Sequence, residues 1–242
     1  MAHSYRTLQH WNQWLTHQFL GTALLNAEQQ ILSTLLDKHY GKHALLIGVP
    51  GQQSLLKACA TTYQSLMSPI HHHEHLTYIE SDLHDLPILT GSIDLVILPH
   101  TLEYVDNPRQ LLSEACRVIK PEGLIVILGF NPYSAWGWQK KKVCNLIQRQ
   151  HIRNWLKLAE FALEKQTSYL YRPPINSENV YQKLACLERI GGTLYPVLAG
   201  AYAVVARAKV IPLTPIKLKW KQSLSNIRIS TTIPGNIARR SK

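Results

Sequence analysis

A short loop at residues 48–52, Gly-Val-Pro-Gly-Gln, has the position of a nucleotide-binding turn. It follows an apolar run and precedes residues 53–60, which have the pattern of a helix. A strand followed by a tight turn and a helix N-terminus places backbone N–H groups where a nucleotide can bind. Proline and glutamine stand where such turns often carry glycine. The loop alone is therefore weak evidence for a nucleotide site.

Titratable side chains follow a later apolar run, at residues 92–98. His100, Glu103 and Tyr104 come directly after it. An imidazole has an ordinary pKa near 6.5, which suits a general base at neutral pH. These three residues are the candidate catalytic groups.

A histidine-rich segment, His71 to His75, raises the question of a metal site. His71, His73 and His75 alternate, and Glu74 adds a carboxylate. Imidazole and carboxylate groups are zinc ligands, but three alternating histidines in a polar stretch are also typical of a solvated loop. We expect the solvated loop and no functional metal.

Strand-like and helix-like segments alternate along most of the chain, which predicts an α/β fold with a parallel sheet and helices on both faces. The predicted helices are 24–36, 53–60, 107–119 and 152–161. The predicted strands are 43–49, 63–68, 76–80, 92–98, 124–129, 163–171 and 201–208. The loop 48–52 and segments 80–83 and 98–100 would then meet at the carboxyl edge of the sheet, where ligands bind.

The connection between the second and third predicted strands is unusually short. Seven residues, 69–75, join them, whereas a parallel crossover normally needs a dozen or more with a helix. Either the second crossover helix is reduced or missing, or the two strands form a hairpin.

Residues 80–123 carry the most specific pattern in the chain. They resemble the central block of class I S-adenosylmethionine (SAM) methyltransferases, specifically the methyltransferase type 11 family. The matching residues are Asp82, Leu86-Pro87, Ile93-Asp94, Leu102-Glu103-Tyr104-Val105 and the run Arg117 to Gly123. The segment 129–137, GFNPYSAWG, is also similar to a small uncharacterised bacterial subgroup of this family.

The resemblance implies a Rossmann-like class I methyltransferase sheet, SAM as cofactor and methyl transfer to an unidentified acceptor. Asp82 would accept a hydrogen bond from the adenine amine, and Leu83 would offer its backbone N–H to the ring. The remaining cofactor-binding candidates that it implies are Gly48, Gly51, Ser68 and Pro99.

The chain departs from the family pattern in two places. The usual G-x-G-x-G loop falls on Gly48, Pro50 and Gln52, with Gly51 out of register. Ser68 stands where an acidic residue usually grips the ribose. The loss of that charge-assisted hydrogen bond would weaken cofactor binding by about 1.5–3 kcal/mol.

Basic charge dominates the C-terminal part of the chain, which carries a net charge of +11 overall. Glu188 is the last acidic residue, and a second basic cluster spans 140–157. Nucleic acid or another anionic partner would suit this charge. We divide the chain into an N-terminal helical segment (1–40), a methyltransferase domain (41–208) and a basic, disordered tail (209–242).

The four scattered cysteines and the absence of a secretory or transmembrane pattern predict a cytoplasmic protein. Two alternatives to a small-molecule or lipid methyltransferase stay open. The altered loop and Ser68 would suit a methyltransferase-like binding protein without catalysis. The tail would suit a methyltransferase that acts on nucleic acid. The methyl acceptor and the oligomeric state do not follow from the sequence.

Overall fold

The computed structural model describes residues 2–71, 77–141, 143–184, 187–188 and 199–209. Within them, seven strands form one mixed sheet. The strands are β1 (Tyr40–Ile47), β2 (Ala60–Ser68), β3 (Thr77–Glu80), β4 (Ile93–Pro99), β5 (Ile119–Phe130), β6 (Phe161–Tyr169) and β7 (Ala201–Ala208). Their order in the sheet is β3-β2-β1-β4-β5-β7-β6.

Helices connect most of these strands and also precede the first. They are α1 (Ala2–His17), α2 (Phe19–Leu36), α3 (Thr101–Tyr104), α4 (Pro108–Val118), α5 (Ala135–Lys140), α6 (Arg149–Leu158) and α7 (Glu178–Lys183). A 3-10 helix, Pro50–Ala58, joins β1 to β2 in place of the helix predicted over 53–60. Among the described residues, no helix is long and apolar enough to cross a membrane.

The first five strands are parallel, and β7 runs antiparallel between β5 and β6. Consecutive residues of β4, Leu95 to Leu98, are fully buried, as are most residues of β5 and β7. Because neighbouring side chains of a strand point to opposite faces, both faces of the central sheet are covered. The predicted Rossmann-like α/β fold is confirmed.

The connection between β2 and β3 comprises eight residues, 69–76, of which 72–76 lie outside the described residues. β3 pairs with β2 in parallel, from Ser65 opposite Thr77 to Ser68 opposite Glu80. The alternative prediction, that these two strands form a hairpin, is therefore wrong. A connection of this length is far shorter than the usual helical crossover of a dozen residues or more.

The two N-terminal helices share the hydrophobic core of the sheet. Leu8 and Trp11 of α1 and Leu24 and Leu32 of α2 are buried in that core. Gln18 separates the helices with an extended backbone (φ −108°, ψ 139°). The segment predicted as 1–40 is thus two helices that pack on the sheet, and the predicted tail from residue 210 onward lies outside the described residues.

Asp94, near the start of β4, joins three strands at the amino edge of the sheet. Its carboxylate accepts hydrogen bonds from the backbone N–H groups of Lys42 and His43 and from Lys120 Nζ, 2.9 Å away. Burial by itself would raise the pKa of Asp94, but these partners outweigh it and lower the pKa. The ionised carboxylate therefore stabilises the register of β1, β4 and β5.

Candidate active site

The carboxyl ends of the parallel strands β1 to β4 line up along one edge of the sheet. The strand order reverses between β1 and β4, which is where open α/β sheets bind ligands. Gly48, Ser68, Asp82 and Pro99 all lie along this edge, at or just after the ends of the four strands. The fold thus brings predicted binding residues to one crevice.

The gap between the ends of β1 and β4 is filled by the side chain of Gln52, which is fully buried. Gln52 Oε1 accepts a hydrogen bond from Val49 N at 3.1 Å, and Nε2 donates to the Pro99 carbonyl oxygen at 2.8 Å. A Cβ atom at Gly48 would lie 2.4 Å from Gln52 Oε1. Glycine is therefore needed at position 48 to admit the folded-back amide.

An apolar slot of about 40 Å³ lies beside an exposed carboxylate at the β3 end of the crevice. The carboxylate belongs to Asp82, whose Oδ1 accepts a hydrogen bond from His84 N at 3.3 Å. Leu83 is buried in the wall of the slot. The other lining residues are Tyr5, Leu8, Pro69, Val105, Asn107 and Leu111. Apolar walls with a carboxylate at the rim suit a flat heteroaromatic ring that carries an amino group.

Ser68 ends β2 as a buried, neutral hydroxyl. Its Oγ accepts a hydrogen bond from Ile70 N at 3.2 Å, so the hydroxyl stabilises the turn that follows the strand. Glu80 ends β3 and pairs with Ser68 across the sheet, and its Oε2 lies 2.7 Å from His71 Nδ1. The end of β2 thus carries a buried hydroxyl whose oxygen already accepts one hydrogen bond.

Helix α1 lies over the crevice. Asn12 Oδ1 accepts a hydrogen bond from Gly51 N at 2.7 Å, which fixes the helix to the loop after β1. Trp11 stacks on Tyr104 with ring centroids 4.6 Å apart and meets the edges of His100 and Phe130. The helix therefore covers the ends of β1, β4 and β5.

The predicted catalytic residues do come together, in a buried network. His100 is fully buried, and Glu103 and Tyr104 are almost completely so. His100 Nε2 lies 2.6 Å from Glu28 Oε1, and His100 Nδ1 lies 3.0 Å from Glu103 Oε2. Glu103 Oε1 also accepts a hydrogen bond from Phe130 N at 2.7 Å. In this arrangement neither imidazole nitrogen is free to take a proton from a substrate.

The network also holds its histidine in the charged form. Burial by itself would lower the pKa of His100, but the carboxylates of Glu28 and Glu103 outweigh it and raise the pKa to about 9. Burial raises the pKa of Glu103, against the opposing effect of His100. His100 also adopts a left-handed backbone (φ 59°), which is uncommon for a residue other than glycine. The charged imidazole therefore bridges α2, β4 and α3.

A buried lysine lies on the other side of α1. Lys140 Nζ is 3.1 Å from the centroid of the Trp14 ring and 5.0 Å from that of Trp11. Burial lowers the pKa of Lys140 to about 7, although Cys144 and Glu103 act in the opposite direction. The contact fixes the N-terminal helix to α5 through a cation–π interaction.

Comparison with known proteins identifies the family that part of this chain matches. Residues 31–127, which span the end of α2 through most of β5, match the family model for a methyltransferase domain. Residues 31–127 are a methyltransferase domain. The match ends before the segment 129–137, so membership of the subgroup marked by that segment stays a prediction.

Relatives also match the chain over most of its length. The chain is 28% identical over 225 residues to the uncharacterised protein YafS of Escherichia coli, covering 86% of this chain and 85% of that protein. A SAM-dependent methyltransferase of Thermotoga maritima, described as a possible histamine N-methyltransferase, shares the fold with a TM-score of 0.61 and 17% identity. The match covers 86% of this chain and 100% of that one. The N-methyltransferase NodS of Bradyrhizobium japonicum, solved with S-adenosylhomocysteine, has a TM-score of 0.56 and 10% identity. The match covers 85% of this chain and 98% of that one.

The family match confirms three predictions: the family, the activity of SAM-dependent methyl transfer and SAM as the cofactor. The solved structures confirm the fold. They leave the acceptor unidentified. The individual site residues remain predictions, which the geometry of this methyltransferase domain now places in space.

Sequence reasoning missed several residues of the site, namely Trp11, Glu28, Gln52 and Lys140. A signal existed for Glu28, because it falls four residues from both Leu24 and Leu32 on the buried face of α2. A carboxylate on a buried helical face needs a partner. No comparable signal existed for Gln52, because its role depends on Pro99, which lies 47 residues away.

The histidine-rich segment contributes one described residue, His71, which binds Glu80. His72, His73, Glu74 and His75 lie outside the described residues. Across the ranges that the structure describes, no group of three or more histidine, cysteine, aspartate or glutamate side chains is arranged to hold a metal ion.

Proposed function

We propose that the chain binds SAM in the crevice at the carboxyl ends of β1 to β4 and transfers its methyl group to an acceptor. Asp82 and the backbone of Leu83 would hold the adenine, and Ser68 would face the ribose. Gly48, Gly51 and Pro99 would surround the methionine portion. The observation that carries the proposal is the Asp82 carboxylate at the rim of an apolar slot, at the same edge of the sheet as the reversal of strand order between β1 and β4.

The residue types at the adenine end of the crevice suit this cofactor. Leu83, Val105 and Leu111 offer apolar contacts to the faces of a ring. Asp82 Oδ1 already accepts one hydrogen bond from its own loop, and a carboxylate has further lone pairs for an exocyclic amine. Adenine would therefore be recognised by one charge-assisted hydrogen bond and by burial of its faces.

The methionine end is occupied by the chain itself. Gln52 fills the gap between β1 and β4, and Trp11 and Asn12 lie across it. We infer that binding of the whole cofactor displaces α1, which pivots at the extended residue Gln18. The free energy of that displacement would reduce the affinity for SAM. Only the fraction of molecules with α1 displaced could bind, and the apparent affinity is lowered in proportion to that fraction.

When bound, SAM supplies the electrophilic methyl group, and the protein aligns the acceptor with it. The burial of His100, Glu103 and Tyr104 favours a positioning role in which they fix the ends of β4 and β5. A direct catalytic role for any of the three stays a prediction. An acceptor whose attacking atom carries a free lone pair would need no base.

Isothermal titration calorimetry of SAM and S-adenosylhomocysteine tests the proposal. Asp82→Ala should weaken binding at least tenfold, since it removes a charge-assisted hydrogen bond of about 1.5–3 kcal/mol. Asp85→Ala is the matched control, because Asp85 is an exposed carboxylate on the same loop. Equal affinity of the two variants would reject Asp82 as the adenine ligand.

A second function is favoured by the closure of the methionine end. If Gln52 and α1 are not displaced by the cofactor, the chain is a binding protein with a methyltransferase fold and no catalytic activity. A folded protein that shows no heat with either ligand up to about 1 mM would support this reading over the first.

The basic tail, 209–242, supports a further variant in which the methyl acceptor is a nucleic acid held by charge. Truncation after Lys209 would abolish salt-sensitive nucleic-acid retention in that case.

We also propose a cytoplasmic location, which the reduced cysteines support: Cys59, Cys116 and Cys144 are all free thiols. Cell fractionation would test it.

A further inference from the structure

A basic groove lies at the same edge of the sheet, beyond the end of β5. We define it by Tyr133, Trp138, Lys141, Arg149 and Arg153. Two cavities form it, of about 820 Å³ and about 340 Å³, and both are lined by Pro132, Tyr133 and Gln148. The larger volume is near the top of the range of about 300–1,000 Å³ that is typical of small-molecule sites. The two together exceed the needs of one small ligand.

The charge of the basic groove is uniformly positive. No acidic residue lines either cavity, and the sequence has none between Glu122 and Glu160. Arg149 donates a hydrogen bond to Ser168 Oγ at 3.3 Å, and Arg153 donates one to Gln150 Oε1 at 3.1 Å. Both of these hydrogen-bond acceptors are neutral. Arginine forks that lack a carboxylate partner are suited to phosphate.

Two aromatic rings stand open at the basic groove. Trp138 is 82% exposed and Tyr133 is 72% exposed. Gln148 Nε2 donates to Tyr133 Oη at 2.8 Å, which holds that ring in place. Exposed rings interleaved with cationic side chains form the stacking platform of proteins that bind single strands.

We propose that the basic groove binds single-stranded nucleic acid, with Arg149 and Arg153 on phosphates and Tyr133 and Trp138 stacked on bases. A single phosphate would leave the two rings without a function. A lipid surface would be met by a protruding face, whereas these side chains line concave cavities that also carry amide and hydroxyl groups from Asn145, Gln148 and Ser168.

Binding in the basic groove does not require methyl transfer. The groove adjoins Asn131, directly after β5, and β5 neighbours β4 in the sheet. The bound strand would therefore lie beside the crevice. Only the further step, that this strand is the methyl acceptor, rests on the proposed function.

Fluorescence anisotropy of a labelled, mixed-sequence 12-nucleotide RNA, titrated with the full chain without cofactor, tests the proposal. Trp138→Ala should weaken binding at least fivefold, because base stacking on an aromatic ring is worth about 1–3 kcal/mol. Arg149→Gln/Arg153→Gln should weaken it further at low salt and flatten the slope of log K against log salt by about 1.4. The matched control is Arg6→Gln/Arg109→Gln, which removes two exposed guanidinium groups elsewhere and keeps the tail.

The proposal is overturned if Trp138→Ala and Arg149→Gln/Arg153→Gln bind the RNA as tightly as Arg6→Gln/Arg109→Gln does. It is also overturned if duplex RNA competes as well as the single strand, or if phosphatidylserine vesicles bind and the RNA does not. Circular dichroism of each variant excludes unfolding as the cause. A null result with SAM in calorimetry has no effect on this readout, so the two proposals fail separately.

Discussion

His100→Gln gives a direct test of the buried histidine network. The substitution keeps a polar side chain at a position with a left-handed backbone but removes the positive charge between Glu28 and Glu103. Two carboxylates would then remain in the protein interior without their shared cation. Breaking a buried ion pair by removal of one partner typically costs about 3–5 kcal/mol.

The structure supplies its own magnitude for this loss. The pKa of His100 is raised from 6.5 to about 9, and each pKa unit corresponds to about 1.4 kcal/mol of preference for the charged form. The folded state therefore favours the imidazolium by about 3 kcal/mol. We expect His100→Gln to lower the free energy of unfolding by at least that amount at pH 6.

The sign of the pH dependence follows from the same shift. Because the folded pKa is raised, the contribution of His100 is fully present below pH 6.5 and is lost as the pH rises to about 9. Lys140 acts in the opposite sense, because its pKa is lowered from 10.5 to about 7. Between pH 7 and pH 9 the two contributions oppose each other, so the stability of the wild type should change little with pH.

Urea unfolding followed by tryptophan fluorescence at pH 6, 7, 8 and 9 measures these quantities. His10→Gln is the control, because His10 is exposed on α1. The expectation is refuted if His100→Gln loses less than about 1 kcal/mol at pH 6, or if the stability of the wild type changes by more than about 1 kcal/mol between pH 7 and pH 9.

Three further predictions concern neighbouring contacts. Lys140→Met removes the contribution that opposes His100, so its stability should fall by about 1.4 kcal/mol per pH unit between pH 7 and pH 9 in the same urea series. Gln52→Ala leaves Val49 N without its side-chain acceptor and the Pro99 carbonyl with only the longer hydrogen bond from Thr101 Oγ1, 3.4 Å away, so it should cost about 1–3 kcal/mol, measured by urea unfolding at pH 7; no loss of stability would contradict this role of Gln52. Asp94→Asn removes a carboxylate with a lowered pKa, so the loss of wild-type stability as the pH falls through that pKa should shrink in the variant, as thermal unfolding between pH 3 and pH 6 would show.

Periodic and punctuated segments were predictable from the sequence. The strand predicted over 92–98 is β4, Ile93–Pro99, and the helix predicted over 107–119 is α4, Pro108–Val118. Asn107 Oδ1 accepts a hydrogen bond from Gln110 N at 3.2 Å, and Pro108 occupies the first turn of the helix. These elements carry their own start signals, so tertiary contacts did not have to decide them.

The loop after β1 was predictable in position but not in conformation. Pro50 begins a 3-10 helix, and Gln52 folds back into the loop to meet Pro99. That contact exists only once β4 lies beside β1. The departure from the glycine pattern thus marked a real structural difference, although the sequence could not show that a side chain of the loop itself fills the gap.

The cover of the crevice was missed for a similar reason. Leu8, Trp11 and Leu15 are spaced at three and four residues and predict a helical face, but the sequence does not show what that face covers. Only the fold places Trp11 against Tyr104 and Phe130. The prediction of His100 as an available base also depended on this missing cover.

Hydrogen–deuterium exchange with and without S-adenosylhomocysteine tests most directly the claim that this crevice holds the cofactor. We expect slower exchange at 79–84 and at the loop 48–52, together with faster exchange in α1 as the helix is displaced. Protection confined to other parts of the chain, or none at saturating ligand, would contradict it.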